Sequence, residues 1–437
     1  MTKCEDVQEN ILKQIREGVH KEGERLPSCR KLASELKVNK ITVNKAYESL
    51  EQQHYVYSIP RGGYYVVHEL PKGKRQERVI DFSAVKPQDE LIPFRAFTHA
   101  MNKAIDCYKE TLFNDNSPMG MQSLREVLVD MFAEESVYCT ADALMVTHGT
   151  QQGIDLVLQT LFLGQQGQLL IESPTYSLAL KRAQQLNIDI VTIERSEKGL
   201  DIARLEQLFK SHDIKCFYIM PRYHNPTGYS LSEAQKRQIV TLCAKYKVLI
   251  IEDDYLGDLR DKQVGAPMHY YDTENTVIYL RSFSKTFMPS IRLGALVCSH
   301  ELMPELVALK KTVDLGTAAL SQSALEVFIR SGMYEKHKRK IKKIYDRKLE
   351  RCRHICASLA SGSVNWHVPT TGIFIWLEIP KTTDFVWVQS ALRAENIIIK
   401  DSNSFYYKEQ SDCFIRLCIL SISEKELHAL STVLKVL

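Results

Sequence analysis

From Leu144 to Leu280 the chain repeats one pattern. A short apolar run is followed by a stretch with helical spacing of its apolar residues. The runs are Leu144-Met145-Val146-Thr147, Leu169-Leu170-Ile171, Ile188-Asp189-Ile190-Val191, Phe217-Tyr218-Ile219-Met220, Val248-Leu249-Ile250-Ile251 and Val277-Ile278-Tyr279-Leu280. They have strand length and are far too short to span a bilayer. Strands that alternate with helices bury both kinds of face in a mainly parallel sheet covered on each side. Ligands of such sheets sit beyond the carboxyl ends of the strands. The residues just after each run are therefore the place to look for chemistry.

Those residues are distinctive. Ser282-Phe283-Ser284-Lys285 ends the last run, and Arg292 follows in PSIRLG. A lysine in a partly desolvated pocket loses basicity and attacks aldehydes. Ser282, Ser284 and Arg292 offer two hydroxyls and a forked cation, which suit a phosphate. Gly149-Thr150-Gln151 stands at a strand-to-helix junction, where free N–H groups and the helix dipole favour an anion. Asp253 can pair with a protonated ring nitrogen. Tyr255 and Asn225 can bond a phenolic oxygen, and Tyr176 can lie flat on a ring. Each fragment alone has an ordinary structural explanation. Their order together describes a pocket for an aldehyde cofactor with a phosphate and a ring nitrogen. After Gly332 a long charged helix, 334–357, leads to a smaller α/β region with Ile373-Phe374-Ile375-Trp376 and Ile415-Arg416-Leu417.

The first seventy residues differ. Val7, Ile11, Ile15 and Val19 recur at helical spacing, and Gly23 is expected to end that helix. Ser28 is a good N-cap for a second helix over 29–36, and a third runs from Lys40 to Gln53. Two β-rich runs around Gly62-Gly63 make a hairpin. Two helices at a short turn plus a hairpin is a winged helix-turn-helix. Its third helix shows Lys40, Thr42, Asn44 and Lys45 for a major groove, and Arg61 tips the wing.

Charge and cysteines bound the setting. The net charge of the 437 residues is +4, and residues 1–78 alone carry +4. The excess thus lies in the segment expected to meet phosphates. Eleven cysteines are scattered without CxxC or Cys/His ligand spacing. That predicts reduced thiols in a cytoplasm, with neither disulfides nor a metal site. The polar N-terminus shows no signal peptide, and no membrane association is expected.

GERLPSCRKLASELKVNKITVNKAYESLEQQHYVYSIPRGGYYVV closely resembles the winged-helix domain of the GntR regulators. The resemblance implies Ser28, Arg30, Lys40, Thr42, Asn44 and Arg61 as DNA contacts. His54 departs from it, since the family usually has Gly there. THGTQQGIDLV, ESPTY, PRYHNPTG, IEDDY and SFSKTFMPSIRLG resemble the landmarks of fold-type I aminotransferases dependent on pyridoxal 5′-phosphate. The combination is similar to the MocR subfamily. It implies that Lys285 forms the internal aldimine, that Asp253 binds the ring nitrogen, and that Tyr255 and Asn225 bind the phenolic oxygen. Thr150, Gln151, Ser282, Ser284 and Arg292 would hold the phosphate, and Arg416 an effector carboxylate. Asn225 is a feature of metabolic aminotransferases that many MocR proteins lack. Phe113 stands near where the family commonly lends a tyrosine to the partner subunit's phosphate site.

The expected organisation is a winged helix-turn-helix over 1–68, a linker over 69–79 and an aminotransferase-like domain over 80–437, its small subdomain from about 333. The expected function is a homodimeric transcription regulator. It binds double-stranded DNA and senses pyridoxal phosphate, an amine or an amino acid. The alternative is an aminotransferase, converting an amino acid to a 2-oxo acid, whose head is a tether or relic. A third reading is a scaffold that uses the fold only to dimerise.

Overall fold

The computed structural model describes residues 3–52, 55–59, 62–67, 79–113, 117–359, 364–380, 382–408 and 413–437. The chain divides into two compact units, Met1–Arg78 and Val79–Leu437. His54, Arg61 and the expected linker except Val79 lie outside the described residues.

In the first unit, helices α1 (Lys3–Arg16), α2 (Cys29–Glu35) and α3 (Lys40–Gln52) precede an antiparallel hairpin of β1 (Val56–Ile59) and β2 (Gly63–Val66). Val7, Ile11, Leu32, Val43, Tyr47 and Leu50 close one core with Val56 and Val66. The Tyr47 hydroxyl donates to the Pro27 carbonyl at 2.8 Å, tying α3 to the entry of α2. Ser28 caps α2, its Oγ accepting from the Lys31 N–H at 3.3 Å. Asn39 does the same at α3, its Oδ1 accepting from the Ile41 N–H at 2.9 Å. Val19 does not join the core. It is 60 % exposed, because α1 stops at Arg16 and the chain turns at Gly18, before Gly23 is reached.

The second unit begins with β3 (Ile80–Asp81), α4 (Phe94–Tyr108), α5 (Gln122–Ala133), β4 (Leu144–Thr147), α6 (Thr150–Phe162), β5 (Gln168–Ser173) and α7 (Ser177–Gln185). It continues through β6 (Asp189–Glu194), α8 (Ile202–Ser211), β7 (Ile214–Ile219), α9 (Glu233–Tyr246), β8 (Leu249–Asp254), β9 (Val277–Ser282) and β10 (Gly294–Val297). Seven strands form one sheet in the order β4-β10-β9-β8-β7-β5-β6. Strand β10 is antiparallel to both neighbours, and the other ladders are parallel. All six runs read as strands from the sequence are in this sheet.

Helices α10 (Met303–Val313), α11 (Ala319–Arg330) and α12 (Met333–Leu359) lead to β11 (Asn365–His367), β12 (Phe374–Ile379), α13 (Phe385–Ala394), β13 (Ile397–Ile398), β14 (Lys400–Asp401), β15 (Cys413–Cys418) and α14 (Ala429–Val436). A four-stranded antiparallel sheet has the order β11-β12-β15-β14, and β13 pairs in parallel with β3. No helix among the described residues is long and apolar enough to cross a membrane.

Beneath the ends of β8 and β9 lies a buried network of alternating charge. Arg281 reaches Glu135 at 2.6 Å, Asp258 at 2.7 Å and Asp254 at 3.4 Å. Arg222 pairs with Asp254, and Lys338 of α12 meets Glu135 at 2.8 Å. Losing one member of such a set strands its partners and costs about 3–5 kcal/mol. The network makes the site's floor stiff.

Candidate functional site

Lys285 follows β9 by three residues. Its Nζ donates to the Val85 carbonyl at 3.2 Å, its one hydrogen bond among the described residues. Burial draws its pKa below the ordinary lysine value. The fields of Cys418 and Asp253 oppose that shift, and those of Arg292 and Arg416 reinforce it. An amine so placed is more often neutral and nucleophilic.

Asp253 lies within β8, not after it, and is buried. Its Oδ2 accepts from the Tyr218 hydroxyl at 2.7 Å, while its buried Oδ1 has no partner among the described residues. Burial pushes its pKa up to about 7; the Tyr218 bond and the charge of Lys285 pull it down, and Asp254 pushes it further up. A buried carboxylate oxygen without a donor is costly. The orphan Oδ1 is the vacancy that a protonated ring nitrogen fits. Tyr218, on the neighbouring strand β7, escaped the sequence reading; the only signal was a hydroxyl-bearing residue inside an apolar run.

The residues expected to hold a phosphate also come together. Gly149 ends the turn before α6 with φ +78 and leaves the helix without a side-chain cap. A Cβ on Gly149 would come within 3.2 Å of Arg292 Nη2, which itself donates to the His148 carbonyl at 3.2 Å. Arg292 holds a left-handed backbone, φ +50. The N–H of Ser284 donates to Ser282 Oγ at 3.2 Å, and Ser284 Oγ is buried without a partner, as is Gln151 Oε1. Thr150 is the first residue of α6, so its backbone N–H is one of the helix's unpaired donors.

Asn225 follows β7 in a loop held by a buried cluster. Glu172 accepts from Arg195 at 2.7 Å and from the Met220 N–H at 2.8 Å, and lies 3.4 Å from His224. His224 in turn contacts Thr227 Oγ1 at 2.8 Å. Asn225 Oδ1 accepts from Arg416 Nη1 at 3.2 Å. Its amide nitrogen keeps no partner among the described residues. The Tyr255 hydroxyl donates to the Tyr223 carbonyl at 2.6 Å, so a phenolic oxygen would have to share or replace that bond. Burial pushes the Tyr176 hydroxyl up to about 12, and the charges of Asp253, Arg292 and Arg416 are all felt there.

Arg416, on β15, is buried. Its Nη2 donates to the Ser83 carbonyl at 2.9 Å, its Nε has no partner, and its guanidinium lies over Phe374 and Phe405 at 4.8 and 5.1 Å. The residues present therefore fit pyridoxal 5′-phosphate.

The head is a site of its own. Arg30, Lys40 and Lys45 are exposed, Thr42 and Asn44 half-buried. Asn44 is not idle: its Nδ2 donates to Glu48 Oε1 at 2.6 Å and its Oδ1 accepts from the Cys29 thiol at 3.7 Å. Two residues escaped the sequence reading. Ile41 is 64 % exposed on α3, where an apolar side chain suits a thymine methyl. Arg25 bridges to Tyr65 and sets its guanidinium against Gly63 in the hairpin.

Compared with known proteins, residues 77–434 match the model for aminotransferase class I and II. Residues 3–66 match that for bacterial regulatory proteins of the gntR family. YcxD of Bacillus subtilis, an uncharacterized HTH-type transcriptional regulator, is 42% identical over 327 residues, spanning 75% of this chain and 74% of YcxD. The HTH-type transcriptional regulator NorG of Staphylococcus aureus is 27% identical over 436 residues, covering 93% of this chain and 98% of NorG. Among solved structures, kynurenine aminotransferase of Pyrococcus horikoshii superposes with a TM-score of 0.76 at 22% identity. The match covers 82% of this chain and 91% of that one, and is a likeness of fold.

Proposed function

Because this chain belongs to the aminotransferase class I and II family, and with its head to the MocR group of GntR-type regulators, we propose that its cofactor site controls its hold on DNA. Membership gives the coarse function: a DNA-binding regulator with an aminotransferase-like body whose cofactor is pyridoxal 5′-phosphate. Bound, the cofactor supplies an aldehyde that condenses with amines and a ring that withdraws electrons. Lys285 is the amine that holds the aldehyde at rest. Asp253 keeps a proton on the ring nitrogen, Asn225 and Tyr255 meet the phenolic oxygen, and Tyr176 covers the ring. Thr150, Gln151, Ser282, Ser284 and Arg292 hold the phosphate.

The observation that carries the switch is Arg416. At rest it spans from β15 to Asn225 and the Ser83 carbonyl, with Nε left over. The carboxylate of an amino compound offers Arg416 a bidentate partner and draws it from Asn225. That exchange alters how the small sheet meets the loops of the large one. Differential affinity for the two arrangements is what the effector supplies, and such couplings are typically ~1–3 kcal/mol. Lys40, Thr42 and Asn44 read the major groove; Asn44 exchanges Glu48 for a base edge, and Arg30, Ser28 and Arg61 meet the backbone.

The working form is a cytosolic homodimer built on the body. Phe94, Leu315 and Leu320 expose large apolar side chains there, which supports a subunit interface. A second reading, an aminotransferase with a tethering head, is favoured by Asn225, which keeps an amide beside the ring site. Anisotropy titrations on the duplex upstream of the gene and on a scrambled duplex separate the two. The regulator binds the former more tightly, changes affinity with cofactor or an amine, and loses selectivity in Asn44→Ala by about 1–3 kcal/mol. Equal binding to both duplexes under every condition, with multiple turnover of an amino donor, leaves the enzyme.

A further inference from the structure

A groove of about 380 Å³ lies between the small sheet and the loop after β7. Its lining includes neither Lys285 nor Asp253 nor Arg416. Five aromatic rings contribute, those of Tyr229, Trp366, His367, Trp376 and Phe414. Trp376 and Phe414 stack at 5.0 Å with planes 14° apart, and Tyr229 meets His367 at 4.4 Å. Two carboxylates complete it, Glu197 and Glu378. Glu378 accepts from Asn365 at 3.3 Å. Glu197 sits in the tight turn between Ser196 and Gly199 and has no hydrogen bond or ion pair among the described residues. No lysine or arginine among the described residues lines the groove. The ladder between β12 and β15 sets Trp376 opposite Arg416 and Glu378 opposite Phe414. Residues directly opposite, and those two apart, share a face. One face thus runs from Arg416 through Trp376 and Phe414 to Glu378.

Aromatic faces with carboxylates and no competing cation form the surroundings that attract an organic cation. We propose that this groove is a second ligand site, for a small organic ammonium ion, separate from the cofactor pocket. Its walls belong to the strand that carries Trp376 opposite Arg416 and to the loop that carries Asn225. An occupant therefore touches both supports of the Arg416 contact.

Tetraethylammonium is the probe, since it has no N–H and cannot condense with an aldehyde. The full chain carries Trp387→Phe, so that Trp366 and Trp376, both in the groove's lining, report by fluorescence. Titration with tetraethylammonium chloride, against sodium chloride at equal ionic strength, is expected to give a saturable change. Glu197→Gln with Glu378→Gln should weaken it roughly tenfold, and loading the protein with pyridoxal 5′-phosphate should not abolish it. A change matched by sodium chloride, or one indifferent to the two glutamines, overturns the proposal. Loss of the signal on loading with cofactor overturns it too, since the cation would then occupy the cofactor pocket. If the double variant unfolds, Tyr229→Leu serves in its place and must weaken binding.

Discussion

Asp253 and Lys285 hold complementary tensions. One oxygen of Asp253 rests on Tyr218 and the other is bare, and its pKa is pushed up to about 7 by burial. With a folded pKa above the unfolded one, the native state binds the extra proton between about pH 4 and 7. Stability of the cofactor-free protein should therefore fall as pH rises through that window. Asp253→Asn removes the penalty. Stripped of cofactor, it should melt above wild type at pH 8, by at most about 4 kcal/mol, with the gap closing toward pH 4. Adding cofactor should reverse the order, because only the carboxylate holds a protonated ring. A cofactor-free Asp253→Asn protein less stable than wild type at pH 8 would contradict the assignment. Lys285 makes the covalent counterpart of this prediction. Borohydride reduction of the loaded protein followed by peptide mapping should find the phosphopyridoxyl group there. A label on another lysine sinks the reading of the pocket.

At the scale of elements, the junction between β4 and α6 is set by two glycines. Gly149 needs its positive φ, and a Cβ on Gly294 would stand 2.8 Å from the carbonyl carbon of Gly149 and from the Arg281 carbonyl oxygen. Both obstacles are backbone, so neither can swing away. Gly294→Ala should push β10 from the Gly149 turn, misalign the N–H groups of α6, and weaken cofactor affinity at least roughly tenfold. Equilibrium dialysis against the cofactor measures this; an unchanged dissociation constant would show that α6 does not hold the phosphate. Strand β10 itself was not read from the sequence. Gly294 to Val297 is only four residues long, follows β9 with no helix pattern between them, and runs antiparallel, so the alternation of strand and helix gave it no place. Strands β5, β7, β8 and β9 were legible because each carries an apolar run buried on both faces, and the edge strand β6 because its run Ile188 to Val191 is short and apolar but for Asp189. Asp254 was harder. In IEDDY it passes for a solvated loop, and only its buried pairing with Arg222 and Arg281 explains it. Val19 misled for the opposite reason: helical spacing continued past the point where the backbone had already turned.

At the scale of the molecule, one chain joins a DNA-binding head to an aminotransferase-like body whose cofactor is pyridoxal 5′-phosphate, and the proposed function links the two energetically. Residue patterns made each half legible, since both rest on local motifs. The proposed linkage rests instead on an exchange of partners at Arg416 and on a subunit arrangement that no local motif records. Linkage has a strict signature. If an amine changes DNA affinity by some factor, DNA must change amine affinity by the same factor. The decisive measurement closes that cycle on the cofactor-loaded full chain. DNA affinity is measured by anisotropy with and without the amine, and amine affinity by the cofactor's absorbance with and without the upstream duplex. The account predicts equal factors of about 5–150 in wild type, collapsing to one in Lys285→Ala and in Arg416→Ala. Amine binding that leaves DNA affinity untouched, with DNA equally silent at the cofactor, would contradict it.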